Sequence, residues 1–97
     1  MLDTLTIESF EPHVGTSFWL HESGHNVELR LTRAARVMAS EAARLKRTAF
    51  SLYFLGPLLL PQQIYRLTHD AFPEPLDLFL VPIGPDASGF KYEAVFT

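Results

Sequence analysis

Histidine, serine and the carboxylates are the side chains of this sequence that could do chemistry, and none of them recurs at a spacing that builds a site. His21 and His25 flank a turn, with Glu22 between them and Glu28 beyond. A hairpin does not impose the one-face i, i+4 geometry that makes paired histidines on a helix a convincing metal site. A metal there would need a third ligand from another strand, His69 for instance, so these histidines are expected to be solvated turn residues and no metal is expected. Asp86 lies among Gly84, Ser88 and Gly89, but the ligand spacing of a calcium loop is missing and Gly-Pro-Asp is ordinary turn chemistry. Serine, histidine and aspartate occur without a Gly-x-Ser-x-Gly elbow, and no Gly-rich phosphate loop is present. The expectation is a protein with no catalytic residue and no cofactor.

The chain of 97 residues contains no cysteine, which excludes disulfides, thiol nucleophiles and thiolate metal centres. With 47% apolar residues and eight phenylalanines it is composed to fold, at a length that suits one domain spanning 1–97. The opening MLDTLTIESFEPH lacks a basic flank and an apolar run of signal length. No stretch approaches the 18 apolar residues of a membrane helix, so a cytoplasmic protein without a membrane partner is expected, or one carried in an assembled particle.

A net charge of −3 conceals an uneven distribution. Six basic side chains, Arg30, Arg33, Arg36, Arg44, Lys46 and Arg47, lie between positions 30 and 47 against Glu41 alone. The remainder holds Arg66 and Lys91 against ten acids. Such a split can steer an acidic partner or favour head-to-tail contact between copies. Nucleic acid would have to bind this cluster on an otherwise acidic domain of pI about 5.7, a poor footprint, and is not expected.

The elements that must position these groups are strands. Thr6 is a plausible N-cap for one helical turn carrying Ile7 and Phe10, ending before Pro12. Phe18 and Leu20 then alternate with Ser17, Trp19 and His21, and Val27, Leu29 and Leu31 alternate with polar residues after a Gly-containing turn. Positions 33–47 read either as strand two running to about Val37 before a basic loop, or as a short helix capped by Ser40. Phe50, Leu52 and Phe54 mark strand three, and Gly56-Pro57 closes it. Tyr65 and Leu67 mark strand four, and Leu76 to Val81 a fifth strand that Pro82 should limit. Phe90, Tyr92, Ala94 and Phe96 bring an aromatic face into the core on a sixth strand that reaches the last residue. Six short strands with turns between them predict an all-β fold, a six-stranded antiparallel meander curled into a barrel or compact sandwich.

Apolar residues also stand on the phase opposite the core. Trp19, Tyr53 and Leu55 do so, Leu58, Leu59 and Leu60 form an apolar loop, and Phe79 and Val81 oppose Leu78 and Leu80. These eight are candidate interface residues, and a protein partner or a homo-oligomer is the expected use. A barrel binding a small molecule or lipid against Phe50, Phe54, Tyr92 and Phe96 is the alternative.

The segments LDTLTIESFEPHVGTSF, FSLYFLGP, LLPQQIYRLTH and LDLFLVPIGPDASGFKYEAVFT together resemble an uncharacterised bacterial family of domains of about 90 residues, apart from the variable stretch Arg33 to Arg47. Such domains occur beside genes for phage-tail-collar-like proteins. The resemblance therefore implies a structural module of a tail-like or surface-fibre assembly, with no catalytic residue attached.

Overall fold

A computed structural model of the chain describes residues 5–22, 24–36 and 49–96, of Glu22 the backbone alone. A short helix α1 (Ile7–Phe10) and a 3-10 turn (Glu11–His13) precede six strands: β1 (Ser17–Glu22), β2 (His25–Arg36), β3 (Phe50–Gly56), β4 (Gln63–Thr68), β5 (Leu76–Asp86) and β6 (Gly89–Phe96). All neighbours are antiparallel, and the strands close into a barrel in the order β1-β2-β3-β6-β5-β4. The all-β fold and the N-terminal helical turn are as the sequence predicts, and of the two forms it left open, barrel or sandwich, the strands adopt the barrel.

The core follows from period-two alternation. Phe18 and Leu20 of β1, Val27, Leu29 and Leu31 of β2, Phe50, Leu52 and Phe54 of β3, Tyr65 and Leu67 of β4, Leu76, Leu78 and Leu80 of β5, and Tyr92, Ala94 and Phe96 of β6 are all buried in one cluster. Burying a side chain of this size contributes about 1.5–3 kcal/mol each. The inside of the barrel is therefore the main source of its stability.

Of two prolines expected to end elements, Pro12 follows the end of α1 as expected and Pro82 does not stop its strand. Pro12 sits within the 3-10 turn, at a first-turn position where a missing N–H costs no hydrogen bond. Strand β5 does not stop at Pro82 but continues to Asp86, through an irregularity between Pro82 and Gly84. β4 ends at Gln63 opposite Leu80, so beyond that point one edge of β5 has no β4 partner, and a proline can lie there.

Connectivity departs from strict sequential order at one place. β3 and β4 lie on opposite sides of the barrel, so residues 57–62 must cross its end. Two buried tyrosines hold that crossing: Tyr92 donates its hydroxyl to Leu58 O and accepts the Leu60 N–H at 2.7 Å, and Tyr65 donates to Pro61 O at 2.6 Å. Burial pushes the Tyr92 phenol above its ordinary pKa, partly offset by the Leu60 bond.

The other end is closed by α1. Its N-cap is Thr6, whose backbone N–H donates to Ser9 Oγ at 3.1 Å. Ile7 and Phe10 point into the barrel mouth, where the Phe10 ring lies 5.2–6.4 Å from those of Phe72, Phe96, Phe50 and Phe18. Arg36 at the end of β2 bonds Glu8 at 2.6 Å and helps to draw that carboxyl below its usual range, after the hydrogen bonds of the first helical turn. Four residues cannot hold a helix alone, so α1 exists because the barrel accepts its two apolar side chains.

Candidate interaction surface

On the outward phase of β4, β5 and β6 three apolar side chains stand in a row. The register pairs Ile64 with Phe79, and Val95, two residues past the end of the β5–β6 ladder, borders the same groove on β6. Ile64 is 66% exposed, Phe79 48% and Val95 56%, which makes a contiguous apolar patch where single apolar residues would be unremarkable.

The wall is notched at this patch. The β5–β6 ladder begins at Val81 opposite Glu93, so Leu76–Leu80 and Ala94–Phe96 do not pair with each other. Between them runs a groove of about 220 Å³ lined by Ile64, Asp77, Leu78, Phe79, Val95 and Phe96 among others. Its floor is made of core residues and its rim of the exposed row. Strand edges left without a ladder partner are what a barrel otherwise removes.

Charged groups frame the groove. Arg66 reaches Asp77 with Nε to Oδ1 at 2.9 Å and a second nitrogen to Oδ2 at 3.3 Å. The hydrogen bonds and the charge of each partner hold Asp77 below and Arg66 above their ordinary pKa values. Across the groove, Glu93 accepts the Tyr53 hydroxyl at 3.2 Å.

Of the eight predicted interface residues, only Phe79 lines this groove. Val81 follows it on the same phase, half-buried. Trp19 is exposed on β1 beside Thr68, two strands away. Tyr53 and Leu55 are half-buried on β3, with Tyr53 bonded to Glu93 and lying under the Arg33 guanidinium at 5.4 Å. Leu58 and Leu59 are exposed on the crossing loop, while Leu60 packs against the core. Ile64 and Val95 each look like an isolated apolar residue in their own strands; only the folded barrel brings them together around Phe79.

The predicted basic patch is divided. Arg30, Arg33 and Arg36 project from β2, which lies diametrically opposite β5, whereas Arg44, Lys46 and Arg47 lie outside the described residues, as does the strand-or-helix question for 37–47. The aromatic residues of the cavity alternative, Phe50, Phe54, Tyr92 and Phe96, all belong to the buried cluster, and the Phe50 and Phe96 rings stack at 4.5 Å.

His21, His13 and His69 each contact described neighbours. His21 shares Nδ1 with Asn26 Oδ1 at 2.6 Å and Nε2 with Thr68 Oγ1 at 2.9 Å. Among the described residues no three His, Asp or Glu side chains converge as a metal site would require. His69 instead meets His13 at the plugged end, their rings 4.9 Å apart, against Phe18 and Phe72. Its Nδ1 accepts the Ala71 N–H at 2.9 Å, so the ring proton belongs on Nε2, which donates to Thr16 Oγ1 at 2.9 Å; Thr16 in turn donates to His13 O at 2.6 Å. Desolvation, and then the charge of His13, lower the His69 pKa against a smaller opposing effect of Asp70.

Fold and surface together define a closed six-stranded antiparallel barrel domain, capped at both ends, whose wall carries a notch rimmed by exposed apolar residues. The chain belongs to the DUF6916 family, a domain of unknown function, whose family model matches residues 5–96. Searches of curated proteins and of solved structures find no match to it. Among the described residues no helix is long and apolar enough to cross a membrane.

Proposed function

We propose that the domain is a non-enzymatic assembly module that docks on another protein surface, a second copy included, through the Ile64, Phe79 and Val95 face. The observation that carries this is the coincidence of an exposed apolar row with the interruption of the β5–β6 ladder. Buried apolar contact supplies the driving force of most protein association, and a central aromatic such as Phe79 is the usual energetic anchor. Resemblance to bacterial domains encoded beside tail-collar-like genes points the same way, to a tail-like or surface-fibre complex.

The test compares tagged wild-type chain with a Phe79→Asp variant, both recovered from the native host and run through light scattering at increasing concentration. The wild type should carry a second copy or a bound protein that the variant sheds. A wild type that stays a strict monomer and shares its bound proteins with the variant would overturn the reading.

A further inference from the structure

We infer that the occupant of this face is a second copy of the chain, related by a twofold axis that passes over Phe79 and lies in the plane of contact. The inference rests on the reading just given and adds the geometry of the pair. Its argument is one of charge placement.

Outward positions on β5 run Asp77, Phe79, Val81, two residues apart on either side of the phenylalanine. Arg66 on β4 stands opposite Asp77, and Glu93 on β6 stands opposite Val81. The two charges therefore occupy opposite flanking strands and opposite directions along β5. With strands about 4.8 Å apart and about 3.4 Å per residue, each lies roughly 8 Å from Phe79 on an idealised sheet. A twofold axis through Phe79, perpendicular to the line joining them, exchanges their positions. One rotation thus places Arg66 of each copy over Glu93 of the other, twice, with Phe79 against its own mate. It also carries Val95 of the second copy to a point between Phe79 and Asp77, over the mouth of the groove.

Two like charges at these places would have opposed such a pairing; the opposite charges present favour it. Arg66 is already held in position by Asp77, and the described bonds of Glu93 use only its Oε2. The competing head-to-tail arrangement would set the basic strand β2 against this face. Head-to-tail contact leaves an apolar face open at the end of every assembly that does not close into a ring, whereas an isologous dimer closes with two copies.

Charge reversal tests the pairing on the intact chain, with dimer dissociation constants from sedimentation at low salt. Arg66→Glu and Glu93→Arg should each weaken the dimer about tenfold or more, and the double variant should return to within about threefold of wild type. Native circular dichroism of all three variants controls for folding. A dimer that Phe79→Asp dissolves but that ignores the reversals, or that the double variant fails to restore, overturns the twofold geometry while leaving the face as the docking surface. A strict monomer overturns the pairing as well; whether the underlying reading falls with it is decided separately, by whether Phe79→Asp sheds a bound protein that the wild type retains.

Discussion

Replacing Phe10 by alanine probes whether the N-terminal helix is a structural part of the barrel or an attachment to it. Phe10 is fully buried and sits among four aromatic rings supplied by β1, β3, β6 and the turn before β5. Truncating a buried phenylalanine costs about 3–5 kcal/mol, and the cost is higher where the surroundings cannot collapse. Rings anchored on separate strands cannot follow a retreating side chain, so the expected loss is about 4 kcal/mol. That is a large part of the 5–15 kcal/mol typical of a whole domain. Urea unfolding followed by tryptophan fluorescence measures it; with a slope of about 2 kcal/mol per molar, the midpoint should fall by about 2 M. The slope carries further information. An unchanged slope means a cavity inside an intact barrel, and a smaller one means that α1 has left and its buried surface with it. A loss under about 1.5 kcal/mol with the slope unchanged would refute the claim that Phe10 plugs the core.

Stability should fall in acid through His69. Its folded pKa lies below the reference value of 6.5, so the unfolded chain takes up the proton first. Its contribution is complete above pH 6.5 and is lost as pH falls through that value toward the folded pKa. A His69→Ala variant should show a shallower decline of the urea midpoint between pH 7 and pH 5, and an equally steep one would remove His69 as the cause. Gly89→Ala should destabilise more than Gly24→Ala, both measured by calorimetry. Both glycines have positive φ, +151° and +79°, but a Cβ on Gly89 would lie 2.5 Å from Gly56 O whereas one on Gly24 meets nothing within 4 Å. Gly24→Ala should cost about 1–2 kcal/mol from backbone conformation alone, and Gly89→Ala more than that.

Alternation made the strands and their inward faces legible, because a barrel with one core asks each strand for the same period of two. Phe18 and Leu20, Phe50 to Phe54, and Tyr92 to Phe96 all fall on the buried side that alternation assigns them. What alternation cannot carry is pairing. That β6 lies between β3 and β5, instead of at an edge, depends on a loop crossing the barrel, and nothing in residues 57–62 announces the two tyrosines that hold it. Pro82 reads as a stop because a single sequence does not show that β4 ends opposite Leu80 and leaves that edge of β5 open. The candidate site was half legible for the same reason. Phe79 stands out within its own strand, while Ile64 and Val95 acquire meaning from neighbours 15 and 16 positions away. His13 and His69 are joined across the plug by Thr16, an arrangement no local spacing encodes.

Closure of the barrel rests on unequal seams, and this bears on why the apolar row is where it is. β4 is joined to β1 by two residue pairs, Trp19 with Thr68 and Leu20 with Leu67, whereas β3 and β6 share seven. On its other side β5 meets β6 only from Val81 onward. The β4–β5 hairpin, from Gln63 to Leu80, is thus the stretch of wall with the least pairing on both flanks, although its own five-pair ladder is continuous. Local opening free energies follow such differences, and binding surfaces that reshape tend to come from the weakly held parts of a fold. Ile64 and Phe79 both belong to this hairpin, and Val95 borders its open edge. A second copy seated on them would cover the edge that the shortened β5–β6 ladder leaves, and would hold the hairpin where the barrel's own hydrogen bonds are fewest. On the proposed reading, closure and docking answer two different strand edges: β1 and β4 close one within the chain, and a second surface would cover the stretch of β5 and β6 that their ladder leaves open.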